Sequence, residues 1–209
     1  MRHLAAVAVL FAAAAILAAA QTTAGAWRPL FDGRSLEGWR ETPFTGRGKV
    51  RVESGALILG AGHLTGVTWT RAFPKSDFEI RFEARRVDGH DFFAGLTFPV
   101  GDTFCTWIVG GWGGGVVGLS NVDGWDASEN PTSTYRDFEN GRWYALRLRV
   151  TAERIEAWID SEEIVNLPLE GRAIDLRYGE IKLSAPLGLA AYGTTAALRN
   201  IEYRELAAR

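Results

Sequence analysis

Beyond the first 26 residues, apolar and polar positions alternate with a period close to two. Between residues 77 and 87, Phe78, Ile80, Phe82 and Ala84 alternate with Glu79, Arg81, Glu83 and Arg85. Tyr144, Leu146, Leu148 and Val150 alternate with Arg147 and Arg149, and Ile155, Ala157 and Ile159 with Glu156, Trp158 and Asp160. Successive side chains of a strand point to opposite faces, so each run predicts a strand with one core face and one wet face. Turn dipeptides divide the runs at Ser54-Gly55, Asp88-Gly89, Gly101-Asp102, Asp123-Gly124, Asn140-Gly141 and Asp160-Ser161. The pattern predicts about twelve strands, antiparallel because their connections are tight, packed as two sheets in one all-β domain. No long helical pattern follows the first 26 residues; a turn or two of helix fits near residues 133–138.

The first 26 residues break the alternation. Met1-Arg2-His3 gives a short basic start, residues 4–20 are an unbroken apolar run, and Ala18-Ala19-Ala20 or Ala24-Gly25-Ala26 offers a small-residue cleavage site. This predicts a signal peptide over residues 1–26 and a domain over 27–209 that is secreted or periplasmic, in a bacterial cell envelope. A retained membrane anchor is the competing reading, because the run approaches the length of a bilayer span. After cleavage no stable membrane insertion is expected. Roughly 185 residues remain, long enough for a substantial core.

The formal net charge is -2, so no basic field exists to attract nucleic acid. Cys105 is the single cysteine, which rules out an intrachain disulfide, and its apolar neighbours predict a buried, inert thiol.

Candidate chemistry concentrates where the alternation fails. The run Gly110-Gly111-Trp112-Gly113-Gly114-Gly115 is followed, after a short strand, by Asn121, Asp123, Trp125, Asp126, Glu129 and Asn130. Glycines let a backbone approach a ligand, indoles offer flat apolar faces for sugar rings, and carboxylates and amides fork to hydroxyls. A structural loop folded on the sandwich edge explains the same residues less well, since long mixed loops more often carry function. Gly113, Gly115 and Gly118 match a dinucleotide-binding spacing, but no helix or βαβ unit follows. A second candidate is a wet sheet face bearing Arg81, Glu83, Arg85, Trp107, Arg147, Arg149, Glu156 and Trp158, for which cross-strand charge pairing is an equal explanation. His63 and His90 have no metal-ligand spacing, and no cofactor motif is present. His90-Asp91 reads as a solvated turn, or else as the start of an acid–base pair. Calcium at Asp123, Asp126 and Glu129 is a side hypothesis outside any EF-hand spacing. No serine-hydrolase elbow occurs.

Several segments carry a family resemblance. Leu30-Phe31-Asp32-Gly33-Arg34-Ser35-Leu36-Glu37-Gly38-Trp39 resembles the opening motif of the 3-keto-disaccharide hydrolase family. Asn140-Gly141-Arg142-Trp143-Tyr144, the run from Ile155 to Asp160, and the closing Arg199-Asn200-Ile201 agree, so the resemblance covers about residues 30–205. It implies a concanavalin A-like jelly-roll β-sandwich of two antiparallel sheets, with the closing strand pairing near residues 30–39. It also implies cleavage of glycosides oxidised at C3. A C3 ketone acidifies the C2 proton, a base forms the enolate, the C1 glycosidic bond breaks by elimination, and water adds back.

Asp123, Asp126, Glu129 and His90 are the candidate acids and bases. Trp107, Trp112, Asn121, Trp125, Arg81 and Arg147 are the candidate substrate-binding residues, the arginines and Asn121 also serving an oxyanion. The family's Asn-Ser-Gly-Ile and Glu-x-Gln-Ile-Leu-Asp stretches fall here at residues 90–96 and 104–109, where the acid and amide are missing. A non-catalytic saccharide-binding module, or a cell-envelope interaction domain, is therefore the alternative on the same scaffold. Stacked tryptophans without an acid–base pair favour binding; a buried carboxyl beside them favours catalysis.

Overall fold

The computed structural model describes residues 25–207, so the expected leader, except Gly25 and Ala26, lies outside the described residues. Turns cut the described residues into fifteen strands. They are β1 (Arg28–Pro29), β2 (Trp39–Glu41), β3 (Val50–Glu53), β4 (Ala56–Leu59) and β5 (Thr65–Trp69). Next come β6 (Phe78–Gly89), β7 (Ala94–Val100), β8 (Thr103–Gly111), β9 (Val116–Ser120) and β10 (Thr134–Tyr135). The last are β11 (Tyr144–Val150), β12 (Arg154–Ile159), β13 (Glu162–Pro168), β14 (Gly188–Ala191) and β15 (Thr194–Glu205). A back sheet runs β13-β12-β11-β6-β15-β4-β3, with β1 also on β15, and a front sheet runs β10-β9-β8-β7-β14-β5-β2. The pairings are antiparallel. The fold is the all-β, concanavalin A-like jelly-roll sandwich.

Leu57, Phe78, Phe82 and Leu146 of the back sheet meet Phe98, Trp107, Leu119 and Leu189 of the front sheet in one core cluster. Burying each such side chain contributes about 1.5–3 kcal/mol before entropy is subtracted. The opening motif closes this core: Asp32 accepts the Arg34 and Ser35 N–H groups at 2.8 Å, and the Trp39 indole donates to the Leu30 carbonyl at 2.7 Å. Arg28 pairs with Tyr203 and Pro29 with Glu202, so the closing strand meets the chain just before that motif.

Two local expectations change. Residues 133–138 hold β10 rather than a helical turn, because Thr134 and Tyr135 pair with Val117 and Val116. The short 3-10 helix among the described residues is Glu180–Ser184. The supposed common wet face is also divided between the two sheets. Cys105, Trp107 and Val109 face the core, and Trp107 is 0% exposed, so it cannot stack on a ligand. Every residue from 104 to 109 is apolar or small, which left the phase of β8 unreadable.

Arg81 and Arg147 lie on the outer surface of the back sheet. Arg81 stands 4.1 Å over the Trp27 ring and 2.7 Å from Glu202; Arg147 stands 3.8 Å over Trp158. Arg85 and Arg199 both cover Trp143, at 4.6 and 4.1 Å. Glu79, only 2% exposed, is ringed by Arg204, Arg147 and Arg149. The arginines occupy the indole faces, so cross-strand pairing explains this surface.

Candidate functional site

Apart from Ile108, the outward positions at the centre of the front sheet are small. Where β7, β8 and β9 turn Ala94, Leu96, Phe98, Trp107, Val109, Val117 and Leu119 to the core, they turn Gly95, Thr97, Thr106, Ile108, Gly118 and Ser120 outward. Small residues let other segments lie directly on the sheet. A Cβ at Gly118 would stand 2.8 Å from the Ala127 carbonyl, and one at Gly188 only 2.6 Å from that of Ser184. Loop 121–133 thus covers β9, and the 3-10 helix covers β14.

Between these covers remains a cavity of ≈ 290 Å³ floored by Thr106, Ile108 and Ser120. At about 30 Å³ per water, that is room for about ten waters or one sugar ring. Its walls come from five places, one of them Leu64 just before β5. Asp91 and Phe92 follow β6, Trp112 sits on the β8–β9 turn, and Tyr192 follows β14. Arg177, Tyr178, Glu180 and Ile181 belong to a strap before β14. Trp112 is 40% exposed, Tyr192 42% and Tyr178 94%, while Phe92 stacks on Tyr192 with ring centroids 6.0 Å apart. Exposed aromatics around a concave floor of Thr106, Ile108 and Ser120 form a surface for an apolar ring face with polar edges.

The strap is tied at both ends. Arg172 meets Asp123 at 2.7 Å, and the Ala173 N–H donates to the same carboxylate at 2.9 Å. The Asn121 N–H donates to the Asp175 carbonyl at 2.6 Å, and the Thr103 hydroxyl to that of Ile174 at 3.0 Å. At the other end Glu180 accepts the Thr45 N–H at 2.8 Å and the Thr45 hydroxyl at 2.6 Å. These donors hold the Glu180 carboxyl below its ordinary value, the hydroxyl contributing most. Asp123 is lowered too, first by the Ala173 N–H and then by Arg172.

Asp91 is likewise engaged. One carboxylate oxygen accepts the Phe92 N–H at 2.7 Å, the other the Gly113 N–H at 3.1 Å. Both carboxylates facing the cavity therefore have a donor on each oxygen. Arg177 is less constrained: its guanidinium is 3.6 Å from Asp126 and 5.7 Å from the Trp112 ring centre. Floor positions in the 104–109 stretch carry Thr106, paired to the Thr97 hydroxyl at 2.9 Å, and Ile108. No acid stands there.

Of the residues singled out from the sequence, Trp112 lines the cavity. Asp126 reaches it only through Arg177, and its other oxygen accepts the Ser128 N–H and hydroxyl. Asn121 lies beside the floor and accepts the Ser120 hydroxyl at 3.0 Å. Asp123 anchors the strap, while Trp125, Glu129 and His90 are exposed outside the cavity. Asp123 and Asp126 are drawn to separate arginines, Arg172 and Arg177, so the imagined oxygen cluster does not assemble. Among the described residues no group of three or more His, Cys, Asp or Glu is placed to hold a metal ion. Nor is any described helix long and apolar enough to cross a membrane. Cys105 is buried, and burial pushes its thiol up to about 12.

The sequence reading missed Arg177, Tyr178, Glu180 and Tyr192, and passed over Asp91 for its neighbour. Their one legible sign is an aromatic residue before a turn glycine, in Tyr178-Gly179 and Tyr192-Gly193.

The chain matches the profile of the 3-keto-alpha-glucoside-1,2-lyase-like domain over residues 26–204. No curated protein matches it. Among solved structures it is similar to a proposed glycosyl hydrolase from Parabacteroides distasonis, at 16% identity and TM-score 0.56, covering 87% of this chain and 94% of that one. It is similar to the carbohydrate-binding module CBM66 from Bacillus subtilis, at 15% identity and TM-score 0.53, covering 80% of this chain and 96% of the module. Domain 4 of the extracellular arabinanase AbnA from Geobacillus stearothermophilus, solved with arabinotriose, is 13% identical with TM-score 0.53, covering 82% of this chain and 84% of that domain. These likenesses concern the fold. The profile match spans nearly the whole chain, and this protein belongs to the 3-keto-alpha-glucoside-1,2-lyase-like family of carbohydrate-active proteins.

Proposed function

We propose that this protein is an exported saccharide-binding member of its family, which seats one sugar ring in the cavity between Trp112, Tyr178 and Tyr192. The observation that carries this reading is the pairing of aromatic walls with carboxylates that are each bonded to the fold through both oxygens. Aromatic faces suit the C–H face of a pyranose, and Arg177, Ser120 and the tyrosine hydroxyls suit its edge. A general base needs a carboxylate within reach of the proton and poised to take it. Asp91 and Glu180 instead bond the turns around them, each through both oxygens, which lowers the readiness of Glu180 to take a proton. The apolar run at residues 4–20 supports export, and arrival in the periplasm or outside the cell, where free saccharides are met.

A second reading is favoured by family membership and by Asp91 and Arg177 lining one cavity. In it the protein cleaves a 3-keto-glycoside. Asp91 takes the C2 proton, and the electron pair enters the C3 ketone as an enolate beside Arg177. The enolate then collapses, and the C1–oxygen bond breaks with its electrons leaving on the aglycone oxygen, which takes a proton. Water adds to the enone.

Calorimetric titration with methyl 3-keto-α-glucoside and methyl α-glucoside, with methanol release followed in parallel, separates the two. Binding without release supports the binding reading. Release proportional to protein supports cleavage. Neither binding nor release on a wider panel of glycosides removes the saccharide assignment.

A further inference from the structure

The alternation of β6 places Phe78, Ile80, Phe82, Ala84 and then Arg86 on the core side. Arg86 is 5% exposed, and no carboxylate lies within ion-pair distance among its described contacts. Burial lowers its pKa, an indication that the charge is held at a cost. A buried guanidinium needs acceptors, and main-chain carbonyls supply them. Its Nε donates to the Asp91 carbonyl at 3.2 Å and one terminal nitrogen to that of Phe138 at 3.4 Å. The other terminal nitrogen donates to Gly114 at 2.7 Å and Gly110 at 3.4 Å, while Phe93 lies beneath the guanidinium at 5.3 Å.

The glycine run is built around this side chain. Gly110 and Gly114 have φ of 79° and 119°, a region that disfavours side chains. A Cβ at Gly110 would stand 2.8 Å from the guanidinium, and one at Gly114 2.8 Å from the His90 carbonyl. Gly110 makes room for an arginine of the same chain, and Gly114 for the His90 carbonyl, rather than for a ligand.

We propose that Arg86 is a positioning residue of the cavity, a staple that sets where Trp112 and Asp91 stand. This rests on the cavity being the ligand site. Arg86 joins the two turns that carry those walls, and the Asp91–Gly113 bond adds a second link between them. Arginine is required because three nitrogens fan out to separate carbonyls, whereas lysine has one.

The test uses protein labelled with 5-fluorotryptophan, with the Trp112 fluorine resonance assigned by Trp112→Phe, and methyl 3-keto-α-glucoside as ligand. In Arg86→Lys and Arg86→Met the Trp112 resonance shifts or broadens, those of Trp39 and Trp158 stay, and Kd rises about tenfold or more as preorganisation is lost. Leu148→Ala, in the back-sheet core, lowers the melting temperature but leaves the Trp112 resonance and the affinity unchanged. Should the Arg86 variants not fold, Gly114→Ala disturbs the same contact from the turn. A folded Arg86→Lys or Gly114→Ala with an unmoved Trp112 resonance overturns the proposal. If the wild type binds no saccharide, the cavity assignment fails, and the Trp112 resonance alone still decides whether Arg86 staples the turn.

Discussion

Asp91→Asn separates a structural carboxylate from a reacting one. The carboxylate bonds the Phe92 N–H at 2.7 Å and the Gly113 N–H at 3.1 Å. Asparagine keeps one acceptor oxygen, enough for Phe92, and turns its NH2 group towards the Gly113 N–H. What is lost is one hydrogen bond to a charged group, about 1.5–3 kcal/mol, reduced to about 1–2 kcal/mol because the Gly113 end is exposed to water. For a domain of this size 1 kcal/mol moves the melting temperature by about 2–4 °C, so a fall of about 2–8 °C is expected. The Trp112 turn loosens with it, and the affinity for methyl 3-keto-α-glucoside weakens. Thermal melts and titration of the same variant give both numbers. A general base behaves otherwise: its loss leaves melting and affinity alone and removes about 10²–10⁴-fold in turnover. That second pattern in Asp91→Asn would refute the structural role given to Asp91 here.

Four further outcomes are expected. Trp107→Ala costs about 3–5 kcal/mol in urea unfolding, as for any buried indole, and the protein that remains folded binds saccharide with wild-type affinity; lost affinity at unchanged stability would return Trp107 to the site. Cys105, buried with its thiol raised to about 12, stays unreactive to a thiol reagent at pH 8 and titrates as one thiol per chain only in denaturant; rapid native labelling contradicts its burial. Glu180 is lowered from 4.5, so its tie to Thr45 is fully present above that value and is lost as pH falls through the lower folded value. Melting followed from pH 6 to pH 3 therefore falls more steeply for wild type than for Glu180→Gln, and superimposable curves would deny the tie. Asp123→Ala loosens the strap at Arg172 and Ala173 yet leaves a measurable saccharide affinity, so its complete loss would place Asp123 at the ligand.

The alternation of β6, β11 and β12 is readable because one face of each is charged, as in Arg81, Arg147 and Glu156. The phase of β8 is not. Strands buried on both faces lose the polar half of the pattern, so nothing in the sequence of β8 tells that Trp107 faces the core. The glycine run carries Trp112, which lines the cavity, but Gly110 and Gly114 answer to the protein's own chain rather than to a ligand. Whether a glycine makes room for a ligand or for Arg86 depends on a residue 24 positions away from Gly110. Arg177, Tyr178 and Glu180 were illegible for a related reason. They act through a strap held by Asp123 and Thr45, and such long-range ties leave no periodic trace. Acidic residues gathered within ten positions suggested a site, yet Asp123 and Asp126 each answer a separate arginine.

We place one sugar ring on Thr106, Ile108 and Ser120 beneath the strap. Ile108→Trp fills that space from the floor and leaves every wall residue in place. Calorimetric titration of wild type and Ile108→Trp with methyl 3-keto-α-glucoside, after melts establish that both are folded, tests it most directly. One ring per chain bound by wild type, and none by the filled variant, is the expected result. Equal binding by both would place the ligand elsewhere on the protein.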